Sequence, residues 1–171
     1  QAPQRTATQS TSTTRVVRTN LVESVMVNGT LGYGVPQPLD NRVTGTLTSV
    51  AAPGAAIGRG GQLYTVDTRP VLLLLGQLPA YRQMQPGLIG SDVRQLEENL
   101  RALGYTGFTV DNEYTDATAA AVRRWQDALD GEQTGTVALG HVVFLPGDIR
   151  VASVTARPGQ AISQATAVLS Y

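Results

Sequence analysis

The chain has 171 residues and no cysteine, enough length to bury a core without covalent staples and no means of building a disulfide, a thiolate nucleophile or a Cys-ligated metal site. Its 13 basic residues balance 13 acidic ones, which argues against nucleic acid or an anionic membrane surface as main partner, because both select for a basic excess. Every basic residue is Arg, there is no Lys, and His141 is the single His; lysine-borne cofactors, Schiff-base catalysis, a Walker-type phosphate loop and a histidine metal cluster are thereby excluded, and no cofactor or metal is expected.

Residues 1–18 read as a flexible leader, because the first fourteen are almost wholly Gln, Thr, Ser and Ala and bury too little apolar surface to offset ordering entropy. No apolar run approaches the roughly 20 residues of a membrane span, and no secretory core is present; any signal or anchor helix is expected upstream of Gln1. From Leu21 to Val66 short Val, Thr and Leu runs are cut by turn signals at Asn28-Gly29, Gly32, Gly34, Pro36, Pro38, Pro53-Gly54 and Gly60-Gly61. That spacing predicts short strands joined by tight turns. The run Val71–Leu75 suits a buried strand. Arg69–Gly76 and Gly140–Gly147 are predicted to pair antiparallel as a stem around whatever lies between them.

Two helical periods follow. The first begins with Ser91 as N-cap and ends at Gly104, with Val93, Leu96, Leu100 and Leu103 as its apolar stripe. Arg94, Glu97, Glu98 and Arg101 read as its solvated face, with Arg94/Glu98 and Glu97/Arg101 pairs at i,i+4. The second starts after Thr115 and runs to about Leu129, with Thr118, Val122, Trp125 and Leu129 facing inward and Ala121 allowing close approach. Tyr105, Phe108 and Val110 are expected to close this small core. After Thr136 the strand texture returns. A short echo links the flanks: Pro53-Gly54-Ala55-Ala56-Ile57 with Leu63-Tyr64-Thr65-Val66 aligns without a gap on Pro158-Gly159-Gln160-Ala161-Ile162 with Val168-Leu169-Ser170-Tyr171, as two pseudo-equivalent halves would.

The helical segment resembles the peptidoglycan-binding domain of bacterial cell-wall hydrolases through Gly90-Ser91-Asp92-Val93, Gln95-Leu96, Leu100, Leu103-Gly104-Tyr105, Val110 to Tyr114, Thr118, Ala121-Val122 and Trp125-Gln126. It departs after Gly131, where the family continues into a third helix and this chain turns toward a strand, and at Asp111-Asn112, where the family usually has Asp-Gly. The flanks resemble the lipoyl-like, or barrel-sandwich hybrid, domain of periplasmic adaptors (membrane fusion proteins) of efflux transporters, in an arrangement like that of actinobacterial adaptors. The residues that carry this are Leu21–Val25, Val27–Leu31, Arg42–Leu47, Pro53-Gly54, Ile57, Gly61–Asp67 and Arg157–Leu169.

These resemblances imply an α+β chain: a lipoyl-like β-sandwich built from 19–70 and 148–171, a connecting stem at 71–85 and 137–147, and a helical peptidoglycan-binding insert at 86–136. They imply a non-catalytic, extracytoplasmic adaptor of an ABC-type transporter, with peptidoglycan and transporter subunits as partners and a β surface open to self-association. The alternative is the wall-targeting portion of a peptidoglycan hydrolase whose catalytic domain lies outside this chain.

Individual residues are read against that background. Trp125 sits at helical spacing with Val122 and Leu129 and reads as core. Asp111 and Glu113 lack the fixed separation of glycosidase carboxylates, and the Asp111–Asp116 segment lacks the glycine of a calcium loop. His141 has no second ligand beside it. The candidate ligand surface is Asp92, Tyr105, Asp111, Tyr114, Arg123 and Gln126, whose carboxylates, phenols and guanidinium would suit glycan hydroxyls and peptide amides. The same residues read equally well as the solvated helix face and the lid of the small core.

Overall fold

The computed structural model describes residues 12–21, 23, 24, 26 and 34–171. The expected turns at Asn28-Gly29 and Gly32 and most of the leader lie outside the described residues. The chain divides into two units, Gln1–Gly32 and Tyr33–Tyr171. In the first, residues 12–21 form neither helix nor strand.

The second unit contains ten strands and two helices in the order β1 (Pro38–Asp40), β2 (Gly45–Val50), β3 (Ala56–Ile57), β4 (Gln62–Val66), β5 (Arg69–Leu75), α1 (Ser91–Ala102), α2 (Asp116–Asp127), β6 (Val142–Leu145), β7 (Ile149–Arg150), β8 (Ser153–Val154), β9 (Ala161–Ile162) and β10 (Ala167–Ser170). The architecture is α+β, with the helices inserted between two groups of strands. A five-stranded sheet runs β6-β5-β4-β2-β9, a three-stranded one β1-β10-β8, and β3 pairs with β7. Strands from before the helices therefore pair with strands from after them in all three sheets.

The echo in the sequence has a structural counterpart. Ala56 and Ile57 pair with Arg150 and Ile149, while Ala161 and Ile162 pair with Thr46 and Gly45, the same exchange with the halves swapped. Backbone bonds repeat it: Gly54 N donates to Val151 O and Gly159 N to Leu47 O, each at 2.7 Å. Gly54 and Gly159 have φ of 84° and 87°, the left-handed turn conformation that glycine adopts without steric cost. The following Ile57 and Ile162 are both buried. Buried Asn41 ties the halves together, with its Nδ2 donating to Ser163 O at 3.0 Å and its Oδ1 accepting from Tyr64 Oη at 3.3 Å. Burial pushes the Tyr64 phenol up to about 12.

Two hydrophobic cores share β5. Val71 and Leu73 enter the core of the β halves, with Leu47, Leu63, Val168 and Leu169. Leu72 and Leu74 enter the helical core, with Leu96, Leu100, Val122 and Trp125. Alternation along a strand sends successive side chains to opposite faces, so a continuous Val-Leu-Leu-Leu run can fill two cores at once.

The expected antiparallel stem is corrected here. β5 and β6 do pair, but in parallel, with Leu72↔Val142, Leu73↔Val143, Leu74↔Phe144 and Leu75↔Leu145 in register. One edge of β5 is already taken by β4 through a hairpin, and the long helical excursion returns the chain to the other edge travelling the same way, as a parallel pair requires. An antiparallel contact between the two arms occurs as a single bridge, Met84↔Val137. The β4–β5 turn places Asp67 and Thr68 at positive φ (48° and 67°), the pattern of a type I′ hairpin without its usual glycine. Side-chain bonds hold it: Asp67 Oδ1 accepts from Thr46 N at 2.8 Å, and Thr68 N donates to Thr48 Oγ1 at 3.1 Å.

Candidate functional site

Both helices arise where the periodicity places them, with one cap different. α1 is preceded by Gly90 as N-cap with no side-chain cap bond, so Ser91 is the first helical residue and not the cap. At the other end Tyr105 N donates to Leu100 O and Gly104 N to Arg101 O, with Gly104 at φ 93°, a Schellman closure. α2 starts from Thr115, whose hydroxyl accepts from Thr118 N in a reciprocal capping box, which satisfies two otherwise orphaned donors.

Glu97 corrects the reading of the α1 surface. It is fully buried, accepting from Thr118 Oγ1 at 2.6 Å and from Asp111 N at 2.9 Å, and it makes no pair with Arg101. The Arg94–Glu98 pair is present at 3.0 Å. Position 97 lies four after Val93 and three before Leu100, so it borders the apolar stripe, and α2 packs across that border. Desolvation raises the Glu97 carboxyl above the usual carboxylate range, although both hydrogen bonds pull the other way. A raised pKa in the fold means that this group's contribution to stability is fully present below its unfolded value and is lost as pH rises through the folded one. Glu97→Gln mimics the protonated acid, with Oε1 accepting from Asp111 N and the amide donating to Thr118 Oγ1. The variant is expected to be equal to or more stable than the wild type at pH 7, with the difference shrinking toward pH 4. Urea denaturation across that range checks it, and a variant less stable at pH 7 would show that the ionised form is the bonded one.

Three polar devices fix α1 to the end of β5 and to the segment that leads from it into the helix. Asn99 clasps the end of β5, its Oδ1 accepting from Leu75 N at 2.8 Å and its Nδ2 donating to Leu75 O at 2.7 Å. One turn earlier Gln95 does the same to Leu78, at 3.1 and 2.8 Å. Arg82 meets buried Asp92 in a two-pronged ion pair, Nε–Oδ2 at 2.7 Å and Nη2–Oδ1 at 2.8 Å, and this holds the Asp92 carboxyl below the usual range. Gly90 makes room for that pair, since a Cβ there would collide with Asp92 Oδ1 and crowd Arg82 Nη2.

The six candidate ligand residues separate on this geometry. Asp92 is committed to Arg82. Tyr114 is fully buried, with its hydroxyl donating to Gly135 O at 2.8 Å and its pKa pushed up by burial. Gln126 staples the loop after α2, with Nε2 donating to Thr136 O at 2.8 Å and Oε1 accepting from Gly135 N at 2.9 Å. Asp111 is half-buried and closes its own turn by accepting from Glu113 N at 2.7 Å. Arg123 is exposed and Tyr105 half-buried against the helical core. Trp125, only 6 % exposed, belongs to that core.

A groove that the sequence reading did not single out opens beside α2. Leu72, Trp125, Leu129 and Val142 line it, and Arg69, Glu132 and His141 are polar groups at its walls. No local motif marks it, because its residues come from β5, α2, the following loop and the start of β6. Among the described residues no cluster of His, Cys, Asp and Glu could hold a metal ion, and no helix is long and apolar enough to cross a membrane.

Comparison with known proteins bears on the helical part. Residues 89–137 match a family model described as "Putative peptidoglycan binding domain". No curated protein and no solved structure matches the chain. The match takes in α1, α2, the capped loop between them and the Gln126-stapled segment up to the Met84–Val137 bridge; the chain thus carries a peptidoglycan-binding domain at residues 89–137, set between strands that pair with one another on either side of it.

Proposed function

We propose that this protein is a non-catalytic, extracytoplasmic adaptor subunit of an ABC-type efflux transporter, in which the helical insert tethers or orients the assembly in the cell wall. The observation that carries the wall-binding half is the match over residues 89–137. The adaptor half rests on the resemblance of the flanks to lipoyl-like domains, and what supports it is the exchange of strands between two pseudo-equivalent halves around the insert. With no Lys in the chain, the β halves have no amine to acylate, so they act as a scaffold and not as a carrier of a covalent cofactor. A tether of low intrinsic affinity suffices, because a membrane-bound assembly keeps the domain at high local concentration beside the wall.

A second reading is the wall-targeting portion of a peptidoglycan hydrolase, which the same domain match favours equally. Co-purification from detergent-solubilised membranes separates the two. The adaptor predicts ABC-type transporter subunits in the eluate, and isolation as a lone protein or attached to a catalytic module would contradict it.

A further inference from the structure

The groove beside α2 lies on the border between the peptidoglycan-binding domain and the strands that carry it. Its floor is aliphatic and aromatic, from Leu72, Trp125, Leu129 and Val142. At its rim Arg69 Nη2 from β5 and Glu132 Oε2 from the insert stand 4.0 Å apart, both well exposed, with side chains 70 % and 77 % accessible. An ion pair so open to water contributes little to the fold and is readily exchanged for a ligand's charges. One cation and one anion above an apolar floor complement a ligand that carries a carboxylate, an ammonium and an aliphatic stretch. In peptidoglycan that is the stem peptide; the glycan strand presents neutral hydroxyls and acetamido groups, which do not call for an ion pair.

We infer that this groove binds the peptide stem of peptidoglycan, with Arg69 receiving a ligand carboxylate, Glu132 receiving its ammonium and the aliphatic chain lying over Leu72 and Leu129. The inference rests on the peptidoglycan reading of the insert and deepens it. Three of the residues that define the groove, Arg69, Leu72 and Val142, stand outside the matched domain, so ligand recognition is shared between the insert and its scaffold. An isolated 89–137 domain would lack half of the site.

The test is calorimetric titration of the full chain with the tetrapeptide L-alanyl-γ-D-glutamyl-meso-diaminopimelyl-D-alanine, and in parallel with chitotetraose, for the wild type, Arg69→Ala, Glu132→Ala and the charge-reversed Arg69→Glu. Both positions are exposed, so the variants keep the fold, which circular dichroism verifies. Saturable tetrapeptide binding is expected, weakened about tenfold by each alanine, as loss of a charge-assisted contact predicts, and abolished by the reversal, with no heat from chitotetraose. Tetrapeptide binding that the variants leave unchanged, or saturable binding of chitotetraose alone, overturns the inference. In a companion pelleting assay the Arg69→Ala/Glu132→Ala chain should no longer pellet with sacculi; if it pellets as the wild type does, the groove is wrong while wall binding stands. A wild type that neither pellets nor takes up either probe sinks the peptidoglycan reading itself.

Discussion

Leu74→Ala is expected to lower the stability of the folded chain by about 3–4 kcal/mol, and Leu73→Ala by a similar amount, in the range for truncating a fully buried leucine whose surroundings relax only partly. Both side chains have 0 % exposure, yet they fill different cores, Leu74 the helical one and Leu73 that of the β halves. The pair therefore asks whether the two cores melt as one. Trp125 is the single Trp and sits in the helical core, so its fluorescence reports that core alone while far-ultraviolet circular dichroism reports the whole. Because β5 is common to both, the two signals should coincide in urea for wild type and both variants. A fluorescence transition that precedes the dichroism transition in Leu74→Ala, with Leu73→Ala showing the reverse, would mean that the insert is an independent body.

Asn99→Ala carries the second large effect, a loss of about 2–4 kcal/mol. The amide of Asn99 is the partner of both backbone groups of Leu75, and truncation leaves that donor and that acceptor without it in a partly buried setting, each costing about 1–3 kcal/mol. Asn99→Asp keeps the acceptor for Leu75 N but sets a carboxylate against Leu75 O, so it should not rescue. Amide hydrogen exchange at Leu75 reads the local consequence. The expected pattern is a loss of protection at Leu75 larger than the uniform loss that lower global stability imposes on the amides of β2 and β4; protection at Leu75 that falls no further than theirs in Asn99→Ala would show that the clasp is dispensable.

Much of this molecule was legible because its local signals are strong. Leu96, Leu100, Val122 and Trp125 recur at helical spacing, Thr115 and Gly104 are cap chemistry, and the Pro-Gly echo marks two related halves; each signal is confined to a few adjacent residues and survives any tertiary arrangement. Direction was not legible. The apolar run of β5 says that both its faces are covered, but nothing in it says whether the returning strand runs with it or against it, and that is decided by the path of the intervening chain. Polar residues were misread for a related reason. Glu97 has the charge of a surface position, and its burial depends on α2 presenting Thr118 and the loop presenting the Asp111 amide at the same place. Gln95 and Asn99 look like ordinary helix-face amides until the end of β5 is brought alongside them. Gln126 and Tyr114 have chemistry suited to a ligand, and the fold spends it on Gly135 and Thr136. The groove between Arg69 and Glu132 joins positions more than sixty residues apart, which no spacing rule connects.

Binding to the wall is the central claim, and pelleting with purified sacculi tests it most directly. The full chain, incubated with intact sacculi and centrifuged, should move to the pellet in a saturable manner and return to the supernatant once the sacculi are digested with a muramidase. A chain that stays in the supernatant at every concentration, with and without sacculi, would contradict the claim and leave the helical insert as a spacer between two halves of a β scaffold.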